Sequence, residues 1–379
     1  MLPSSPMTGG PTNDVRRLDS LTAVRFWAAL CAVLYHFAGP VFPVGLGEGM
    51  NLGVDFFYVL SGFILMYNYG EKATNRRSFY QQFLGARIAR IYPAFLLAFV
   101  LTAPEVIRFT LSRHGPAEAW GKIAIAALAT LTNTHAWFPR LAAFWNFPSW
   151  SVSNEMFFYL CFPALAVVLM RFGAKTNLVL AVACIGLAPR VLTIAVGAGG
   201  YQAANTGGVD RIPIMRLFQF VMGMAIGRVF LFRQHLPRLS RVWAVLPAAV
   251  ACIPVLFLPW LPPILRILAP TPIFATLIYV LARSERSSAS ERMGLGVLLG
   301  EASYSVYILQ VPIYSFCGFA VETMTPLKLL FYIGLLVGAS VVTLKLVEQP
   351  LRPRIRRLLA SKPVYVEQPV LVRGEAAAS

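Results

Sequence analysis

The chain has 379 residues, 57% of them hydrophobic and only 13% charged, with a mean hydropathy of +0.65 and a formal net charge of +17. Soluble domains carry about 25% charged residues, so this composition excludes an ordinary soluble protein and implies an all-α, polytopic transmembrane helical bundle. Lys and Arg cluster in short loops between apolar runs, as membrane topology requires. No groove-reading module accompanies the charge, which argues against nucleic acid as a partner. Five cysteines stand singly in apolar segments without any C-x-x-C pair, and read as small buried residues.

Residues 1–18, rich in Pro, Gly, Ser and Thr, read as a flexible N-terminal tail. Apolar runs of spanning length follow at 21–39, 51–69, 91–111, 154–171, 177–197, 213–232, 242–260, 265–283, 296–318 and 326–347. Asp19 and Ser20 are placed to cap the first helix. That run carries Arg25 and His36 and has no clear cleavage site, so it reads as a retained span, not a signal peptide. A further run, 122–138, is ambiguous.

The positive-inside rule puts Arg16 and Arg17, the 70–90 loop, the 171–176 turn, and the loops 232–241 and 283–292 on the cytoplasmic side. Counting inward from both termini agrees only if 122–138 crosses an even number of times, which makes it a re-entrant or surface segment beside about ten spans. The expected organisation is a tail at 1–18, a transmembrane domain at 19–349, and a loose basic cytoplasmic tail at 350–379. The expected location is a bacterial inner membrane, with lipid as a partner and both termini cytoplasmic.

Arg25 and His36 are eleven residues apart, close to three helical turns. They therefore share a face, about 16 Å apart along the axis, with Arg25 toward the cytoplasm and His36 toward the outer end. Asp55 opens the second span and Glu155 the fourth, which places them at the expected depth of His36, where a carboxylate could orient an imidazole. Arg87 and Arg90 share a face at the inner end of the third span, and two guanidiniums on one face suit a phosphate or diphosphate. The four histidines show no metal-site spacing, and His114, His135 and His235 read as loop or interface residues. These charges alone fit two classes, an enzyme or a proton- or anion-coupled transporter; no repeated half favours the transporter.

The blocks "LDSLTAVRFWAALCAVLYHF", "NLGVDFFYVLSGFIL", "RIARIYP", "SWSVSNEMFFYL", "SYSVYILQVP" and "VEQPLR" stand in the order seen in the acyltransferase-3 family, and the chain resembles that family over roughly residues 16–357. The resemblance implies a membrane O-acyltransferase that moves an acyl group, acetyl being the expected one, from acyl-CoA to a hydroxyl of a carbohydrate, a lipid-linked sugar or another exported glycan, or less readily a macrolide. No resident cofactor is implied; acetyl-CoA or another acyl-CoA is the donor substrate. On this resemblance His36 is the catalytic histidine. Arg87 and Arg90 are tied to acyl-CoA, Arg25 belongs to the Arg-to-His motif, and Trp150, Ser151 and Glu155 match the block before the fourth span. Asp55 or Glu155 would orient or balance the imidazole, whose ordinary pKa near ~6.5 suits a general base. Many members have histidine where this chain has Gln310, which leaves His36 as the well-placed base. Reporters fused near Gly115 and near Phe147 are expected to report the same outer side of the membrane; opposite sides would overturn the topology.

Overall fold

A computed structural model of the protein describes residues 18–42, 49–73, 79–183, 186, 211–233, 237, 239, 269–285 and 294–359. Every regular element among them is helical: α1 Asp19–Phe37, α2 Leu52–Ala73, α3 Phe79–Arg113, α4 Pro116–Leu131, α5 Trp150–Met170, α6 Ala174–Ala183, α7 Pro213–Phe232, α8 Pro270–Ser284, α9 Gly294–Cys317, α10 Pro326–Thr343 and α11 Gln349–Leu359. Seven helices are long and apolar enough to cross a membrane, the last of them running from Pro326 through Leu359. Their outer faces carry exposed Trp27, Val100, Leu101, Leu160, Leu330 and Phe331, apolar surface that suits contact with lipid.

The fold is the expected all-α polytopic bundle, and several expected spans coincide with single helices. Of the ten expected runs, 242–260 and parts of 177–197 and 265–283 lie outside the described residues; the described part of 265–283 falls in α8, which is 15 residues long. Asp19 and Ser20 do not cap α1. Ser20 instead donates from its main-chain nitrogen and its hydroxyl to Glu285 at 2.9 and 2.6 Å, tying the start of α1 to the end of α8.

The ambiguous segment is resolved into α4 and a compact turn region. α4 folds back along α3, and the Tyr92 hydroxyl of α3 donates to the Leu131 carbonyl at 3.0 Å while accepting from Asn133 at 3.2 Å. Residues 132–149 then pack into the bundle. His135 is buried against the Ser149 hydroxyl at 3.0 Å, Trp145 donates to the Phe99 carbonyl at 3.0 Å, and Asn146 donates to the Ile308 carbonyl at 3.0 Å. Non-helical backbone is tolerated at such a place because protein groups satisfy it.

The start of the expected loose C-terminal tail is also revised. After a single π turn, Leu344–Glu348, the chain continues into α11, which packs on α3 with Leu359 beside Gly85. Buried Glu348 explains the continuity: it accepts from the Ser305 hydroxyl and from Arg352 one turn on, so the first part of the basic stretch is held to the bundle by a carboxylate.

Three glycines let the central helices touch backbone to backbone. A Cβ at Gly62 of α2 would lie 2.0 Å from the Phe220 carbonyl oxygen, and one at Gly223 of α7 would lie 1.9 Å from that of Val59. A Cβ at Gly300 of α9 would lie 1.9 Å from the Thr22 carbonyl oxygen, so α9 runs directly against α1. Small residues are the usual means of close approach between membrane helices. Gly300→Ala is expected to destabilise the bundle by about 1–3 kcal/mol through overpacking, lowering the melting temperature in detergent. Gly334→Ala, with open space at its Cβ, is the control and should melt like the wild type.

Candidate active site

The bundle holds a partly open cavity of about 130 Å³ between α1, α2, α3, α5 and α9. Arg25 enters it from α1, Arg87 and Arg90 from α3, Ser61 from α2, Ser151 and Glu155 from α5, and Ser303 and Tyr307 from α9. The structure thus brings Arg25, Arg87, Arg90, Glu155 and Ser151 together. The three-residue spacing of Arg87 and Arg90 puts both on one face of α3, and α1 supplies the third cation opposite them.

Each arginine is held differently. Arg87 donates to the Tyr69 hydroxyl at 3.0 Å and lies 5.3, 5.7 and 5.8 Å from the ring centroids of Tyr69, Phe83 and Tyr159, an aromatic cage that fixes its direction. Arg25 and Arg90 have neither a hydrogen bond nor an ion pair to another described residue. Glu155, the one carboxylate lining the cavity among the described residues, accepts from the Tyr159 hydroxyl at 2.5 Å and from Ser61 at 3.3 Å.

His36 lies beyond the end of the cavity where Ser151 and Tyr307 stand. Its Nδ1 is 2.7 Å from Gln310 Oε1, and Phe147 packs edge-on against its ring with centroids 4.6 Å apart. Nε2 has no partner among the described residues and is not sealed in by protein. The wall between the cavity and this corner is a short network. Ser151 Oγ donates to the Tyr307 hydroxyl at 2.8 Å, and both hydroxyls lie within bonding distance of the Pro148 carbonyl, at 3.0 and 2.9 Å. Phe147 also lines a second hollow of about 360 Å³, together with Glu105, Arg113, His114, Trp145 and Val311.

The expected cluster of His36, Asp55 and Glu155 at one depth is not formed. Asp55 accepts from Arg216 Nη1 at 2.8 Å and from Gln219 at 2.6 Å, in a buried ion pair between α2 and α7. Glu155 stands in the arginine cavity. The reason is that the helices do not start at a common level. Gly53 presses the head of α2 against Ala28, eight residues before His36, or about 12 Å along α1. The turn before α5 reaches into the bundle as far as His36 through Phe147, so Glu155 falls deeper still.

Trp150, at the head of α5, has two guanidiniums near its ring, that of Arg216 at 5.8 Å and that of Arg211 at 6.0 Å from the centroid. Sequence reasoning passed over Arg211, Arg216 and Tyr307, and it noted Gln310 without giving it a role. Arg216 alone left a signal, a charge within the apolar run 213–232.

Membrane-length helices around a cavity that three arginines line define an integral membrane protein with positive charge inside its helical bundle. The chain belongs to the acyltransferase-3 family, whose model, described as an acyltransferase domain, matches residues 18–345. Among curated proteins it is similar to "Acyltransferase MdmB" of Streptomyces mycarofaciens, 27% identical over 57% of this chain and 58% of that protein. It is 31% identical to "Protein 2 in picA locus" of Rhizobium radiobacter over 38% of this chain and 77% of that protein. It is 27% identical to "Putative peptidoglycan O-acetyltransferase YrhL" of Bacillus subtilis (strain 168) over 58% of this chain and 34% of that protein. The chain thus spans just over half of the first relative's length and a third of the last one's. No solved structure matches.

Removing one partner of a buried ion pair leaves an uncompensated charge and costs about 3–5 kcal/mol. Asp55→Asn is therefore expected to lower the melting temperature in detergent strongly. The double variant Asp55→Asn with Arg216→Met should recover much of the loss, because neither charge is then left alone.

Proposed function

We propose that the protein is a membrane O-acyltransferase that uses acyl-CoA, acetyl-CoA in particular, and acylates a hydroxyl of a carbohydrate or other exported glycan. The observation that carries this reading is the pair of guanidiniums, Arg25 and Arg90, that have no hydrogen-bond or ion-pair partner among the described residues and line a cavity that Arg87 also enters. Charges at such depth are expensive unless something matches them. Phosphate groups, as on coenzyme A, supply matching charge and bidentate acceptors. In this reading the three arginines hold the donor's phosphates and Glu155, held by Tyr159 and Ser61, keeps them apart. The pantetheine arm rises past Ser151 and Tyr307 toward His36.

His36 acts as general base. Nε2 takes the proton of the acceptor hydroxyl, the oxygen attacks the thioester carbonyl, the C–S bond breaks, and the imidazolium returns the proton to the leaving thiolate. The hollow beyond Phe147 gives the acceptor an approach from the side opposite the arginines, and its mix of aromatic faces with Glu105, Arg113 and His114 suits a polyhydroxylated ligand. Peptidoglycan O-acetylation, named for the Bacillus relative, supports an envelope glycan as acceptor. Because acyl-CoA is made in the cytoplasm, the arginine cavity faces inward, both termini are cytoplasmic, and the protein sits in the bacterial inner membrane. The acyl-transfer unit is the transmembrane domain that begins at residue 19, with α11 as part of it.

The test is acetyl-CoA-dependent CoA release in membranes supplied with the envelope glycan fraction. His36→Ala should lower kcat at least about a hundredfold at normal expression. Arg90→Gln should chiefly raise the KM for acetyl-CoA. Wild-type turnover by the His36 variant would overturn the assignment.

A further inference from the structure

We propose that Gln310 is a positioning residue that locks His36 in its Nδ1–H tautomer and so makes Nε2 the basic atom; the catalytic part of this inference rests on the role given to His36 above. The argument starts from the amide. Gln310 is fully buried in α9, and its Nε2 donates to the Tyr307 carbonyl at 2.7 Å. Turning the amide over would set two oxygens against each other at that distance, so its orientation is chemically fixed. The amide oxygen therefore points at His36 Nδ1, 2.7 Å away. An amide oxygen only accepts, so Nδ1 carries the hydrogen in both the neutral and the charged ring. In the neutral ring the lone pair then lies on Nε2, the nitrogen that has no partner among the described residues and is not fully sealed in by protein.

The rest of the packing holds this register. The Tyr332 hydroxyl donates to the Gln310 carbonyl at 2.9 Å, and Phe37, next to His36, stacks on Tyr314 at 4.1 Å and meets Tyr332 at 5.3 Å. Gly300 sets α9 against α1 three turns below. The groups facing the imidazole are Tyr35 from α1, Phe147 from the turn before α5, and Gln310 from α9. Arg211, just ahead of α7, is the charged group among the described residues whose field reaches it. The partner that orients the ring is thus neutral and the nearby charge is positive. Such a site provides a ready base and favours quick return of the proton over a stored imidazolium.

Two measurements test this. In protein labelled with 13C and 15N histidine, with His36→Ala as the difference reference, the His36 signals should read as the Nδ1–H tautomer, and Gln310→Leu should give a mixture or the other form. Second, modification of His36 by diethyl pyrocarbonate, followed by mass spectrometry of its peptide across pH, reports the neutral ring. Gln310→Glu places a carboxylate at Nδ1 and should shift the acidic limb of that profile upward by about 1–3 pH units. In acetyl-CoA turnover, Gln310→Leu should lower kcat by about tenfold or more with the KM for acetyl-CoA unchanged. A wild-type Nε2–H tautomer, or a Gln310→Leu protein with unaltered tautomer and profile, would overturn the proposal. A correct tautomer combined with an active His36→Ala protein would instead defeat the catalytic role of His36 and leave the positioning intact.

Discussion

A guanidinium cannot rest in a low-dielectric bundle without something to match its charge. The described bundle answers that constraint in two ways. Arg216 is met by Asp55, and Arg352 by Glu348, each inside the protein. Arg25 and Arg90 are left facing a cavity, where one carboxylate, Glu155, stands among three arginines. The first kind of arginine fastens helices to one another. The second kind leaves positive potential in the cavity, where the proposed reading seats an anionic group.

The register of α1 depends on the same packing. Glycine contacts bring α2 and α9 onto its two sides, at Ala28 and Thr22. α1 therefore presents Arg25 to the cavity, while His36, three turns further on, meets α9 at Gln310. Between the two stand Ser151 and Tyr307, whose hydroxyls are engaged with each other and with Pro148. In the proposed reading the donor's arm passes these hydroxyls, which gives α5 and its preceding turn a part in the proposed chemistry beside the motif-bearing first helix.

Much of the fold was legible because apolar runs report helices directly, and the pairing of Arg87 with Arg90 followed from a three-residue spacing within one helix. The depth of Asp55 and Glu155 was not legible. Reading it assumed that every helix begins at one membrane surface, whereas α2 begins against the middle of α1 and α5 begins inside the bundle. The contact of His36 with Gln310 joins residues 274 positions apart, and no local pattern announces such a pair. Arg216 left a sign, a charge in an apolar run, but its partner Asp55 lies on another helix and was read there as a neighbour of His36.

The π turn at Leu344–Glu348 admits an extra residue into the helical repeat, and with it the backbone turns Glu348 inward toward Ser305 while keeping Arg352 one turn ahead. Arg352 stands close enough for its charge to act on Arg25 and Arg90. α11 therefore borders the electrostatic environment of the cavity. For anyone handling the protein, a truncation after residue 348 would strip a buried acid of its counter-ion and alter the field at the arginines in one cut. Affinity handles and fusion partners belong after residue 359, where α11 has already delivered its charge.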